Sequence, residues 1–137
     1  MEAKEYLSEL YYLNSKIKED KRQVERLKEQ ADKRTSNLSP DKVQSSSSQQ
    51  KQADTVCEWV ALEQQIAEDE ATMQEIIGTI NMLRPQERTV LYQCYRYDKS
   101  LGEVARDIHR SYSWVSKFHG SGVKRIQKIL DEREARN

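Results

Sequence analysis

Between Ile108 and Leu130 the chain carries Arg110, Lys117, Lys124, Arg125 and Lys128, both of its histidines, and no Asp or Glu. A run of cations that no carboxylate neutralises is suited to gripping a polyanion, and a nucleic-acid backbone is the commonest one. A merely solvated helix face interleaves Glu with Lys, as residues 3–34 do here,. The whole chain has 23 basic and 23 acidic residues, so its asymmetry lies in their placement. Residues 53–84 hold one Arg against seven acids, while residues 85–137 hold eleven basic residues against seven acids.

Other chemistries find less to work with. His109 and His119 have no Asp, Glu or Cys at ligand spacing, so no metal is expected,. Cys57 and Cys94 form no CxxC pair, which implies a reducing compartment and no structural metal,. Phosphate-cradling and dinucleotide glycine motifs are lacking, as is a nucleophile elbow, and no Ser–His pair has an orienting acid,. The expectation is a protein that is not an enzyme and uses no cofactor. The N-terminal "MEAKEYLSELYYL" lacks the basic-then-apolar pattern of a signal peptide,. No window approaches 18 apolar residues, so no membrane span is expected and the cytoplasm is the expected location,.

The elements that must position these residues read as helices throughout. Charged residues make up 34% of the chain, with four Gly and two Pro, a mix rich in helix formers and poor for sheets,. Over residues 3–34, Ala3, Tyr6, Leu10, Leu13, Ile17, Val24, Leu27 and Ala31 recur at spacings of three and four, with Asp20 interrupting the seam,. Over residues 53–83, Trp59, Leu62, Ile66, Met73, Ile76, Ile80 and Leu83 do the same around Asp69. Neither narrow stripe is stable alone, so each helix needs a partner. The expectation is a long antiparallel, coiled-coil-like helical pair over residues 1–84, joined by a Ser/Gln-rich linker at 35–53 in which Ser39-Pro40 could start a helical turn. Pairing within one chain and pairing between two both satisfy the pattern. Tyr11, Tyr12 and Trp59 are expected to pack within the pair.

Pro85 suits a helix start, and residues 85–97 read as a third helix burying Val90, Leu91, Cys94 and Tyr95,. Ser100 with Glu103 reads as a capping box for a short helix over 101–108 that buries Leu101, Val104, Ala105 and Ile108,. "HRS" at 109–111 is a turn, and a last helix runs from near Ser111 to about 133. At 100° per residue, Val115, Phe118, Gly122, Ile126 and Ile129 share its inner face, and Ser113, Lys117, Gly120, Lys124 and Lys128 its outer one, with Ser116 at the edge. Small residues there let a helix approach bases closely. Two short helices around a turn, with Ala105 small enough for them to cross, have the spacing of a helix-turn-helix. The expected DNA contacts are Ser113, Ser116, Lys117 and Gly120 toward the bases and Arg110, Lys124 and Lys128 toward phosphates, with Tyr112 among the DNA-binding residues. Trp114 is expected against the preceding helix or a sugar-phosphate edge.

Residues 85–130 resemble the region-four DNA-binding domain of bacterial sigma factors, through "PQERTVL", "SLGEVARDI", "SYSWV" and Gly122-Val123 with Ile126. His109 stands where that pattern usually has Gly, and Arg110 where it usually has an apolar residue. "AKEYLSELYYLNSKI", "SPDKVQSS" and "VSKFHGSGVKRI" extend the resemblance to a family of small phage and prophage proteins grouped with late-gene transcription regulators of the ArpU and RinA sort. The resemblance implies an all-α, sequence-specific regulator in the bacterial host cell, with double-stranded DNA as ligand. RNA polymerase is the candidate protein partner, and residues 1–84 are the candidate site of homo-oligomerisation. Two alternatives are a small terminase-like packaging protein and a coiled-coil adaptor that binds protein only.

Overall fold

The computed structural model describes residues 1–36 and 46–137, and among these every regular element is helical. Helix α1 spans Ala3–Ser36, α2 Ser46–Ile80, α3 Pro85–Tyr95, α4 Leu101–Asp107 and α5 Tyr112–Arg136. The chain is all-α. Residues 35–36 and 46–53, expected as linker, are helical. Residues 46–53 contain no Pro or Gly, so a helix begun on the apolar seam propagates through them at small cost,. The expected turn at Ser39-Pro40 lies outside the described residues.

Two compact units divide the chain: Ser15–Glu70, and Met1–Asn14 with Ala71–Asn137. The boundary expected at 84/85 is a junction between helices inside the second of these.

In the unit Ser15–Glu70 the apolar seam holds, with Ile17, Val24, Leu27, Ala31 and Ile66 buried. Trp59 is only half-buried. Asp69, the polar interruption, is buried and takes Lys16 Nζ at 2.6 Å and Gln65 Nε2 at 3.1 Å. A buried carboxylate without partners is costly, so this pairing favours one register over its neighbours. Lys21 pairs with Glu70 at 3.0 Å and Lys28 with Glu63 at 2.9 Å, so a step of seven forward on α1 is a step of seven back on α2, the antiparallel sense. These two outer pairs are exposed and each contributes little,.

In the other unit, Tyr6, Leu7, Leu10 and Leu13 of α1 share a core with Ile76, Ile77 and Ile80 of α2, Leu91 of α3, and Ile126 and Leu130 of α5. The Tyr6 and Thr79 hydroxyls share a hydrogen bond of 3.0 Å, and Arg133 Nη2 donates to Thr79 Oγ1 at 3.0 Å. Gln127 on α5 holds the start of α1. Its Oε1 accepts from the Ala3 N–H at 2.8 Å, which would otherwise lack a helical partner, and its Nε2 donates to Met1 O at 3.1 Å,. Tyr11 and Tyr12, expected to pack, are 44% and 64% exposed because Leu10 and Leu13 take the seam positions beside them,.

A second cluster of Val90, Val104, Ala105 and Val115 lies among α3, α4 and α5, with Cys94, Leu101, Ile108, Trp114 and Phe118 half-buried around it. The start of α4 is capped as its sequence predicts, and the start of α5 is capped by the same chemistry. Ser100 Oγ accepts from the Glu103 N–H, and Ser111 Oγ from the Trp114 N–H,. The Glu103 carboxylate returns to the Ser100 hydroxyl rather than to its backbone, so the box is incomplete,.

The α4–α5 turn is fixed by its hydrogen bonds. Arg110 N donates to Ala105 O at 3.0 Å and His109 N to Arg106 O at 3.4 Å, the two bonds of a Schellman ending,. That ending needs a left-handed residue, and His109 supplies it with φ 56°. A side chain there costs about 1–2 kcal/mol; the extra unfolded-state freedom of Gly takes back roughly 0.5–1 kcal/mol. His109→Gly is therefore expected to stabilise the fold by up to about 1 kcal/mol, and the β-branched His109→Val to destabilise it by about 1–3 kcal/mol. Urea unfolding of the three proteins checks both signs.

Candidate nucleic-acid interface

Helix α5 has an inner face set by Val115, Gly122, Ile126 and Leu130, all buried. At Gly122 a Cβ would stand 3.0 Å from Leu91 Cδ1 and 3.4 Å from Glu87 Cβ, so the missing side chain is what lets α5 lie against α3. With that face turned inward, Tyr112, Ser113, Ser116, Lys117, Gly120, Lys124 and Lys128 are all exposed, as is Arg110 in the preceding turn. The structure thus brings all eight expected contact residues to the solvent side of one helix and its leading turn. A Cβ at Gly120 would meet nothing within 4 Å, so packing does not require glycine there.

The electrostatics of this face are one-signed from Arg110 to Lys128, with Asp131 and Glu132 following on the next turn. Among the described residues, none of Arg110, Lys117, Lys124 or Lys128 has a carboxylate at ion-pair distance, whereas Lys16, Lys21 and Lys28 of α1 all do. The first turn of α5 also lacks the acid that commonly offsets the positive end of a helix,. Arg110 lies over the Trp114 ring at 5.3 Å, and Lys117 over the Phe118 ring at 5.6 Å. Both cations are steered by aromatic faces without being neutralised. Trp114 packs on Phe118 at 4.6 Å and is half-buried, as expected for a residue against the preceding helix.

Two features went unanticipated. Pro85, Gln86 and Thr89 of α3 line a shallow cleft with Ile108, Arg110 and Trp114, which puts two polar side chains of α3 beside the start of α5. Their spacing of three on the solvent side of α3 was the available signal. The second is Glu87, read only as part of a motif. It is 1% exposed, accepts from Ser121 Oγ at 3.0 Å, and stands 3.1 Å from Arg125 Nε and 4.0 Å from Arg84 Nε.

His119 is half-buried on the flank of α5, stacked on Tyr95 at 5.7 Å and sharing a 2.9 Å hydrogen bond with its hydroxyl. Cys94, beside Tyr95, is free, and burial pushes its thiol up to about 11, away from reactivity,. Among the described residues no three His, Cys, Asp or Glu side chains converge as a metal would need, and no helix is long and apolar enough to cross a membrane. Comparison with protein-family models, curated proteins and solved structures found no match for this chain.

Burial first, and the Lys4 charge second, hold the His119 imidazole below its ordinary value. As pH falls, the unfolded chain takes up this proton before the folded chain does. The stabilisation is therefore complete above the unfolded value of about 6.5 and is lost as pH falls through it toward the folded value. Melting temperatures measured from pH 7.5 to 5 are expected to fall less steeply in His119→Gln, which keeps a partner for Tyr95, than in the wild type.

Proposed function

We propose that this chain is a sequence-specific DNA-binding transcription regulator of phage or prophage origin, with α3–α5 acting as a sigma region-four-like helix-turn-helix. The observation that carries the reading is the outer face of α5 over residues 112–128: exposed, free of acid, and built from small residues between lysines. In this reading α5 enters the major groove. Tyr112, Ser113, Ser116, Lys117 and Gly120 lie nearest base edges, while Arg110, Lys124 and Lys128 meet phosphates. Gln86 and Thr89, beside Arg110, extend the backbone contacts across the cleft.

The left-handed turn at His109 supports the resemblance, since the backbone conformation that usually asks for glycine is present at the matching position. Residues 1–84 serve protein contacts, with a second copy or with RNA polymerase. The antiparallel ion pairs of α1 and α2 support pairing within the chain, leaving their outer faces for such partners.

Sheared genomic DNA of the source phage or prophage, captured in parallel by wild type and by Lys117→Glu/Lys124→Glu, tests the reading. Enrichment upstream of a late operon that drops at least about tenfold in the double variant is the expected result. Binding should weaken steeply with salt, and Lys124→Glu alone should lower the log–log slope by about 1. Enrichment at a packaging site would favour the terminase-like alternative. No enrichment would favour the protein-binding adaptor.

Gly120 offers a separate check. Gly120→Ala is expected to stabilise the fold by up to about 1 kcal/mol, because the helix gains propensity and no contact is crowded,. The added methyl is expected to weaken specific DNA binding at the same time. Thermal unfolding and a filter-binding titration would show the two effects moving in opposite directions.

A further inference from the structure

Every other inward position of α3 that is fully buried carries an aliphatic side chain, Val90 or Leu91. Position 87 carries a carboxylate that is 1% exposed. Stability alone does not call for a charge there, since an apolar residue of similar volume at such a place is often neutral or better. What the carboxylate adds is direction. Apolar faces let one helix roll or slide on another with little change in energy, whereas a hydrogen bond holds one angle and one distance.

The partners show what is being directed. Ser121 Oγ donates to Glu87 Oε2 at 3.0 Å, and Arg125 Nε stands 3.1 Å from Oε1. They lie one turn apart on α5 and flank Gly122, the notch where α5 meets Leu91. Oε1 has charge beside it but no aligned hydrogen bond, so the directional part of the contact runs through Oε2 and Ser121. Across the helix from Gly122 stand Lys117, Gly120 and Lys124, all exposed,. At a side-chain radius of about 5–6 Å, a roll of about 20° moves the outer tips by roughly 2 Å. A base-reading contact tolerates about 0.5 Å.

We infer that Glu87 is a positioning residue for specificity: through Ser121 and Arg125 it sets the rotation of α5, and hence which outer side chains meet base edges. The inference rests on the DNA-binding reading. It assigns sequence discrimination, as distinct from affinity, to a side chain that touches no DNA.

The test uses the full chain and a duplex library with a randomised core of about two helical turns, selected in parallel by wild type, Glu87→Met, Glu87→Gln and Ser121→Ala. Arg125 is 44% exposed and can be re-solvated when its partner is lost, so Glu87→Met is expected to fold, as circular dichroism would report. Its enrichment of the wild-type consensus over bulk duplex is expected to drop by roughly tenfold or more, the scale of one misread base pair. The salt slope on bulk duplex should not change, because no phosphate contact is lost. Glu87→Gln keeps an acceptor for Ser121 and should recover part of the enrichment.

A Glu87→Met protein that selects the wild-type consensus with wild-type enrichment would overturn the inference. If that variant does not fold, Ser121→Ala decides the matter by the same measure. Should the wild type enrich nothing, the DNA-binding reading fails by itself. The backbone amide spectrum of residues 112–126 then decides the lock: resonances shifted or broadened in Ser121→Ala keep Glu87 as the residue that orients α5, and an unchanged spectrum removes it.

Discussion

A Cβ at position 122 would stand 3.0 Å from Leu91 Cδ1, tighter than all but a few real side-chain contacts, and much of the molecule follows from that close approach. Because residue 122 is glycine, α5 settles on α3 and turns Val115, Ile126 and Leu130 inward. That contact joins the two apolar clusters, since α3 gives Leu91 to one and Val90 to the other. It also brings Glu87 within reach of Ser121 and Arg125. Fixing the inner face of a helix fixes its outer face as well, so the exposure of the lysines is a consequence of packing on the far side.

Most of this architecture was legible because periodicity is a strong signal over long elements. The seams of α1 and α2, the Pro85 start, the cap at Ser100 and the helix start near Ser111 were all readable from residue types and spacing. The outer residues of α5 followed from 100° per residue. The rest was hidden for physical reasons. Ser and Gln carry little intrinsic preference, so residues 46–53 read as linker although the helix runs through them,. Tyr11 and Tyr12 are apolar enough to suggest packing, but Leu10 and Leu13 already occupy the seam. Glu87 was invisible as a buried group because its partners lie 34 and 38 positions away. Long-range polar pairing leaves no periodic trace in a sequence.

The charges sort into two populations with different roles. Lys16, Lys21 and Lys28 of α1 meet carboxylates of α2, and the part-buried pair, Lys16 with Asp69, sits where the seam would otherwise be uniform. A uniform apolar seam tolerates sliding, so a single polar pair selects one register from several of similar energy. Arg110, Lys117, Lys124 and Lys128 have no such partners among the described residues, and their mutual repulsion is a standing cost of the free protein,. Locally inconsistent features of this kind concentrate at functional surfaces, where a ligand supplies the missing counter-charge.

The grip of Gln127 on Met1 and Ala3 has a consequence for how the molecule is made. It joins residues 124 and 126 positions apart, and the core around it draws on α1, α2, α3 and α5 together. Helices form in microseconds or less as each emerges, but this closure requires segments far apart along the chain to meet. The first turns of α1 therefore stay without their cover during translation until α5 has left the ribosome, with Tyr6, Leu7 and Leu10 open to other chains or to chaperones in the meantime,. A nascent chain stalled before residue 126 would carry that apolar surface uncovered.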